Sequence, residues 1–331
     1  MKTIRWGMIG CGDVTEVKNG PGLYLAEHSE LVGVTNRTLS KAEDWVKRHG
    51  HGRVFESVEA LLACQEIDSI YIATTPDKHM EYAILCARAG KHCLIEKPLA
   101  LTYKEGLAIE EAFKQAGKKA FVAFYRRSLN RFRKIKALLE EEVIGSLQGV
   151  KVTRAVKPVE EQAAWRIHSN ISGGGIFTET DIHILDFLEY CLGPIKSCKF
   201  IKQHSQMVNP DLDAVSLSLS FDKGVIGSGL WLYHCYVTKD EVEFIGSKGI
   251  ISFSFFNNEK PIKILTAEGE KEIIIEDSKH VGLNMQQEIV DELNGIGSFS
   301  GTVSASLNAL RLAEEVYYLL DKSRQQQKHS M

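Results

Sequence analysis

The chain has 331 residues, a formal net charge of −3, 44% hydrophobic and 25% charged residues. That is ordinary globular composition, long enough for two domains, and it excludes a disordered chain. Lysine and arginine are interspersed with acids, so the basic stripe of a nucleic-acid binder is missing, and no apolar run reaches the length that spans a bilayer.

The seven cysteines are dispersed and form no Cys-x-x-Cys pair, which argues for reduced thiols rather than a disulfide framework or a zinc site. The first seven residues run straight into a strand pattern and leave no room for a signal peptide. A cytoplasmic protein is expected.

Residues 3–9 predict a strand, followed by a helix from about Val14. A second apolar run covers residues 31–35. Ser40-Lys41-Ala42-Glu43 has the form of a capping box opening a helix that stops at Gly50. Residues 69–73 predict a short buried strand, 78–89 a helix ended by Gly90, and 93–95 another strand. Thr102-Tyr103-Lys104-Glu105 is a second capping box, its helix ending at Gly117, and residues 120–123 close the series. Strands alternating with helices of this length imply parallel βαβ units and a doubly wound α/β sheet over residues 1–123.

Residues 124–331 read differently, as an α+β domain. Helices are expected over 129–141 and from near Glu179, and strand patterns dominate 195–275. Val215, Leu217, Leu219 and Phe221 alternate with Ser216, Ser218 and Ser220, the pattern of an antiparallel sheet with one buried face. The serine face is either solvated or a subunit interface. Helices over 283–294 and 303–321 finish the chain, and the last is amphipathic enough to pack back on either domain.

Gly10-Cys11-Gly12-Asp13-Val14-Thr15 follows the first strand directly and opens the first helix. Two glycines there permit a tight turn and close approach of backbone to a pyrophosphate at a helix N-terminus. Thr15 replaces the third glycine of the usual fingerprint. The second strand ends Thr35-Asn36-Arg37-Thr38, without the acid that accepts hydrogen bonds from the ribose hydroxyls of NAD. Asn36, Arg37, Thr38 and Ser40 are donors suited to a 2′-phosphate, so NADP(H) is favoured, with NAD(H) possible.

Leu94-Ile95-Glu96-Lys97-Pro98-Leu99-Ala100 resembles the Glu-Lys-Pro signature of the glucose–fructose oxidoreductase / inositol dehydrogenase (Gfo/Idh/MocA) family. Four further segments fit in order. Residues 72–79, with Thr74, Pro76 and His79, resemble the family's turn beside the nicotinamide ribose. Trp165-Arg166 and the glycines 173–175 resemble the start of its second active-site segment. Glu179-Thr180-Asp181-Ile182-His183, with Asp186, resembles its catalytic helix. Gly246-Ser247-Lys248-Gly249 resembles a turn between late strands.

The resemblance implies a Rossmann domain followed by a domain built on a large, mostly antiparallel open sheet that mediates homodimer or homotetramer formation. It also implies a sugar, polyol or related hydroxy or keto compound as substrate. Gly10, Gly12, Asp13, Val14, Asn36, Arg37, Thr74, Pro76, His79, Glu96, Lys97, Trp165 and Arg166 are the expected cofactor residues. Lys97, Tyr125, Glu179 and His183 are expected at the substrate, with Lys97, His183 and Glu179 catalytic.

Moving a hydride to or from a secondary alcohol carbon requires a group that takes or gives the hydroxyl proton and donors that stabilise the developing alkoxide. Lys97 ends a predicted parallel strand, where such sheets place their ligand crevice. Glu179, His183 and Asp186 are spaced four and three apart, so a continuous helix sets them on one face, where a carboxylate orients an imidazole. Two positions depart from the family: Glu179 stands where Asp is common, and Asp181 where Gly is common. Tyr125-Arg126-Arg127 either lines the pocket or, for Arg127, is surface charge. His28, His49, His51 and His92 carry no motif and read as surface residues. No metal site is expected.

The leading reading is therefore a sugar or polyol dehydrogenase, or ketone reductase. A glycosidase or lyase that oxidises its sugar transiently on tightly held NAD is a second, and a non-catalytic dinucleotide sensor a third.

Overall fold

Ile4–Ile9 (β1) is buried at five of its six positions and Ser69–Ile72 (β4) at all four, as central strands covered on both faces must be. With Ser29–Thr35 (β2), Arg53–Val54 (β3), His92–Ile95 (β5) and Ala120–Val122 (β6) they form a six-stranded sheet in the order β3-β2-β1-β4-β5-β6, every pairing parallel. The order reverses between β1 and β4. The computed structural model describes residues 1–157, 169–172, 175–203 and 214–328. These fall into two units: Met1–Leu129 with Ser278–Leu310, and Asn130–Asp277 with Arg311–Met331.

The connecting helices of the first unit are Gly22–Leu25 (α1), Leu39–His49 (α2), Val58–Ala63 (α3), His79–Arg88 (α4) and Tyr103–Ala116 (α5). The expected helix from Val14 is broken. Val14–Lys18 is a single π-helical turn, and Asn19-Gly20-Pro21 separates it from α1. Gly20 sits so tightly that a Cβ there would lie 2.0 Å from the Thr15 carbonyl oxygen, and proline cannot supply the amide that a continuing helix needs. The second helix also starts earlier than Ser40: Thr38 is its N-cap and makes no side-chain cap, so Ser40 lies inside the helix. The box at Thr102 is present, with Thr102 accepting from the Glu105 amide and Glu105 from the Thr102 amide, and the helix ends on left-handed Gly117.

The second unit holds Asn130–Glu140 (α6), Leu147–Val156 (β7), Ser169–Ser172 (α7), Ile182–Leu192 (α8), Ile195–Gln203 (β8), Ala214–Phe221 (β9), Ile226–Tyr233 (β10), Lys239–Gly246 (β11), Gly249–Phe253 (β12), Ile262–Thr266 (β13) and Gly269–Ile273 (β14). Among the described residues its sheet has eight strands in the order β14-β13-β12-β11-β7-β10-β9-β8, antiparallel except for β7 with β10. Alternation on β9 holds: Val215, Leu217, Leu219 and Phe221 are buried while Ser216 and Ser218 are exposed. Rings of Phe132 on α6, Phe187 on α8 and Phe253 on β12 meet at centroid distances of 4.9–6.2 Å, tying helices to the sheet.

The chain then returns. Leu283–Leu293 (α9) places Met285, Ile289 and Val290 in the core of the first unit with Leu23, Trp6 and Tyr71. Each such side chain contributes roughly 1.5–3 kcal/mol on burial, which explains why this segment clusters with the nucleotide-binding half. Val303–Lys328 (α10) begins in the first unit and ends in the second. No helix among the described residues is long and apolar enough to cross a membrane.

Candidate active site

The topological switch between β1 and β4 is where an open parallel sheet forms its ligand crevice. The Gly-x-Gly turn lies there. Gly10 has φ of 100°, and a Cβ on it would sit 2.6 Å from the Ala73 carbonyl oxygen at the end of β4. Only glycine tolerates both conditions. At exposed Gly12 the nearest atom to a Cβ is the same oxygen at 4.0 Å, so the space above it is open. The amides of Gly12 and Asp13 donate to nothing among the described residues, while Thr15 closes the turn from below through its hydroxyl to the Gly12 carbonyl at 2.7 Å. Open space, outward amides and a helical N-terminus together fit a pyrophosphate.

Asn36 braces this turn rather than projecting away. Its Oδ1 accepts from the Cys11 amide at 3.3 Å and its Nδ2 donates to the Thr38 carbonyl at 3.0 Å. Arg37 is exposed and pairs with no carboxylate among the described residues. Beyond β4, Thr74 is half-buried and Pro76 buried. His79 is fully buried, Nδ1 2.8 Å from the Pro98 carbonyl and Nε2 3.1 Å from the Thr74 carbonyl, so it joins the loop after β4 to the turn after β5. Burial pushes its pKa down, against the two carbonyls that favour protonation.

Glu96 is buried. Its Oε1 accepts from Asn19 Nδ2 at 2.5 Å and from the Tyr71 hydroxyl at 2.6 Å, and its Oε2 receives the Lys97 amide at 3.3 Å. Burial raises its pKa, opposed by Tyr71 and Lys97. Asn19 is held in turn by Gln286 of α9, which donates to its carbonyl at 2.6 Å. The carboxylate thus links the end of the π-turn, β4 and the base of half-buried Lys97. Lys97–Pro98 is a cis peptide.

After β6, Tyr125 is half-buried with the Arg126 guanidinium 5.4 Å from its ring centroid. The surface reading of Arg127 falls: it is buried and donates to the Ser300 carbonyl at 2.9 Å. His49 is likewise no simple surface residue, stacked on Trp45 at 3.9 Å and 3.0 Å from Glu16.

In the second unit Phe177–Asp181 is another π-helical turn, and α8 starts at Ile182. The spacing of Glu179 and His183 therefore crosses a π-to-α junction instead of running along one α-helix. The wider turn interrupts the expected single face. Glu179, His183 and Asp186 are all buried, and the Thr180 hydroxyl donates to Glu179. Asp181 faces the sheet: Arg154 Nε lies 3.2 Å from Oδ1, and the Tyr233 hydroxyl donates to Oδ2 at 2.7 Å. Trp165 and Arg166 lie outside the described residues.

Residues 4–124 match the oxidoreductase family with an NAD-binding Rossmann fold (GFO_IDH_MocA), and residues 132–252 match the GFO/IDH/MocA C-terminal domain. An oxidoreductase of Formosa agariphila is 37% identical over 77% of this chain and 80% of its own. The chain belongs to the Gfo/Idh/MocA oxidoreductase family. A 1,5-anhydro-D-fructose reductase of Ensifer adhaerens is 26% identical to this family member over 81% of the chain and 82% of its own. The aldose–aldose oxidoreductase of Caulobacter crescentus shares the fold at a TM-score of 0.85 and 19% identity, over 97% of this chain and 98% of that one. The chain is an oxidoreductase whose residues 4–124 form an NAD-binding Rossmann domain.

Sequence reading of this Gfo/Idh/MocA oxidoreductase missed Asn19, Tyr71 and Gln286 around Glu96, and Arg154 and Tyr233 around Asp181. None belongs to a local motif. An Asn directly before Gly-Pro at a helix end, and a Tyr inside an otherwise aliphatic strand, were the available signals.

Proposed function

We propose that this oxidoreductase passes a hydride between NADP(H) and a secondary hydroxyl, or the ketone it becomes, on a sugar, polyol or related small molecule. The observation that carries the cofactor choice is the end of β2, where exposed, unengaged Arg37 stands in place of an acid. Residues 10–14 would hold the pyrophosphate, Asn36 and Arg37 the adenosine ribose and its 2′-phosphate, and Thr74 and Pro76 the nicotinamide ribose. A bound nicotinamide would accept the hydride in the oxidation and supply it in the reduction. Lys97, Glu179 and His183 are the proposed proton-handling residues, since removing a hydride from a CH–OH carbon leaves a hydroxyl proton that a side chain must take. Carbohydrate chemistry is supported by the 1,5-anhydro-D-fructose reductase, myo-inositol 2-dehydrogenase and D-glucoside 3-dehydrogenase among the relatives.

The same reading places the enzyme in the cytoplasm, in keeping with seven cysteines among which no disulfide forms. It also has copies associate through the outer sheet face, where Ile201, Ser216 and Leu230 lie side by side across β8, β9 and β10, with Ile201 79% exposed. The test is a panel of sugars, keto-sugars and inositols with each cofactor, followed by nicotinamide absorbance. Turnover with NADPH well above NADH on a keto-sugar is expected; no turnover with either cofactor across the panel overturns the reading.

A further inference from the structure

Asp181 is fully buried with both oxygens engaged, so it cannot reach a substrate. Its partners come from β7 (Arg154) and the parallel neighbour β10 (Tyr233). The guanidinium of Arg154 is itself fixed, 4.2 Å from the Phe256 ring centroid. Asp240, opposite Arg154 on β11, is fastened by the Ser254 hydroxyl at 2.5 Å and the Phe256 amide at 2.6 Å. Apolar replacements for buried ion pairs are often neutral or stabilising, so the network's contribution lies in geometry more than in stability. That geometry bears on one place. Asp181 is the last residue of the π-turn carrying Glu179, and His183 is the second residue of the helix that follows.

We propose that Asp181 is a positioning residue: held as a carboxylate by Arg154 and Tyr233, it fixes the junction between the π-turn and α8 and so aims Glu179 and His183. The inference rests on the reading of those two as proton-handling groups. It also assigns a pH dependence to a group that never touches substrate. Burial pushes Asp181 up to about 6, with Arg154 and Tyr233 opposing and Asp240 adding to the rise. Among the described residues, the charged or titratable groups facing it are Arg154 on β7, Tyr233 on β10 and Asp240 on β11; Glu179 and His183 flank it on its own segment. Protonation loosens the hold of Arg154, so activity falls on the acid side of about pH 6. The linkage sign is opposite for stability. A carboxyl raised above its unfolded value contributes fully below that value, and the contribution is lost as pH rises through about 6.

The experiment compares Asp181→Asn, Tyr233→Phe, Glu179→Gln and His183→Ala with wild type. Hydrogen exchange of the peptide covering residues 176–188 reads the clamp without any substrate. The pH profile of kcat, with NADPH and 1,5-anhydro-D-fructose or the fastest panel substrate, reads the aim. Asp181→Asn should exchange faster in that peptide and lose roughly 10- to 100-fold in kcat, the scale of an ångström's misplacement, with Kd for NADPH unchanged. Its acid limb should vanish, and its melting temperature relative to wild type should rise between pH 4 and 7. Tyr233→Phe removes one donor and should move the limb up by about one pH unit.

Wild-type exchange in both clamp variants overturns the proposal, as does a wild-type limb in both. If Asp181→Asn fails to fold, the shift in Tyr233→Phe decides alone. Unimpaired Glu179→Gln and His183→Ala would instead overturn the underlying catalytic reading.

Discussion

The hydroxyl of Tyr71 donates to Oε1 of Glu96 across 2.6 Å, with neither side chain in contact with bulk solvent beyond Glu96's 6%. The bond ties the interior of β4 to the residue after β5 and leaves Lys97 to emerge from a braced base. Tyr71→Phe should cost about 1–2 kcal/mol, and Glu96→Ala about 2–4, because the latter strands two buried donors, Tyr71 and Asn19. Burial raises Glu96, so its contribution to stability is full below its unfolded value of 4.5 and declines as pH rises through the raised one. Glu96→Gln carries no such proton and should gain on wild type as pH rises. Urea titrations at pH 5 and 8 check all three; losses under 0.5 kcal/mol for both Tyr71→Phe and Glu96→Ala would remove the brace.

Gly10 and Gly12 should separate stability from binding. Gly10→Ala puts a Cβ against the Ala73 carbonyl at positive φ, and at least ~1–2 kcal/mol of stability should go with it. Beyond its chain neighbours, Gly12→Ala meets no atom of the described residues closer than 4.0 Å. Its unfolding midpoint should stay near wild type while NADPH binding, read by fluorescence, weakens. Equal destabilisation by the two would mean the open space is not a cofactor site.

Arg37→Ala should weaken NADPH by about 10- to 100-fold, the scale of hydrogen bonds to a charged phosphate, and leave NADH within about threefold. Titration with each cofactor measures this. Matched losses for both would return the preference to undecided between NADP and NAD.

Lys97→Ala should bind dinucleotide as wild type does, since the turn of residues 10–14 lies elsewhere on the sheet edge, yet lose at least ~10²-fold in kcat. A variant with near-normal kcat on the best substrate would strip Lys97 of its role.

His183→Ala and Glu179→Gln should each lower kcat by about 10²-fold without moving the NADPH Kd. The double variant should be little worse than His183→Ala if the carboxylate acts through the imidazole. Fully additive losses would make them independent.

The alternation of residues 214–221, the apolar runs of β1, β4 and β5, the box at Thr102 and the Gly-x-Gly turn were all legible in the linear order of residues. Each is a short-range property: side-chain period, a cap three residues away, a turn that only glycine can make. The sequence by itself therefore determined two kinds of domain and the glycine turn at the end of the first strand. Tertiary structure alone decided that Ser278–Leu310 joins the first unit, because that requires Met285, Ile289 and Val290 to find a core formed by residues of the first 123. It decided that the segments after Gly12 and at Glu179 are π-turns, which no side-chain period announces. It also decided which polar groups are structural. Glu96 meets Asn19 77 residues away and Asp181 meets Tyr233 52 residues away. A buried charge is tolerable only with partners, and which distant donors supply them is fixed when the sheets close, not by any local pattern.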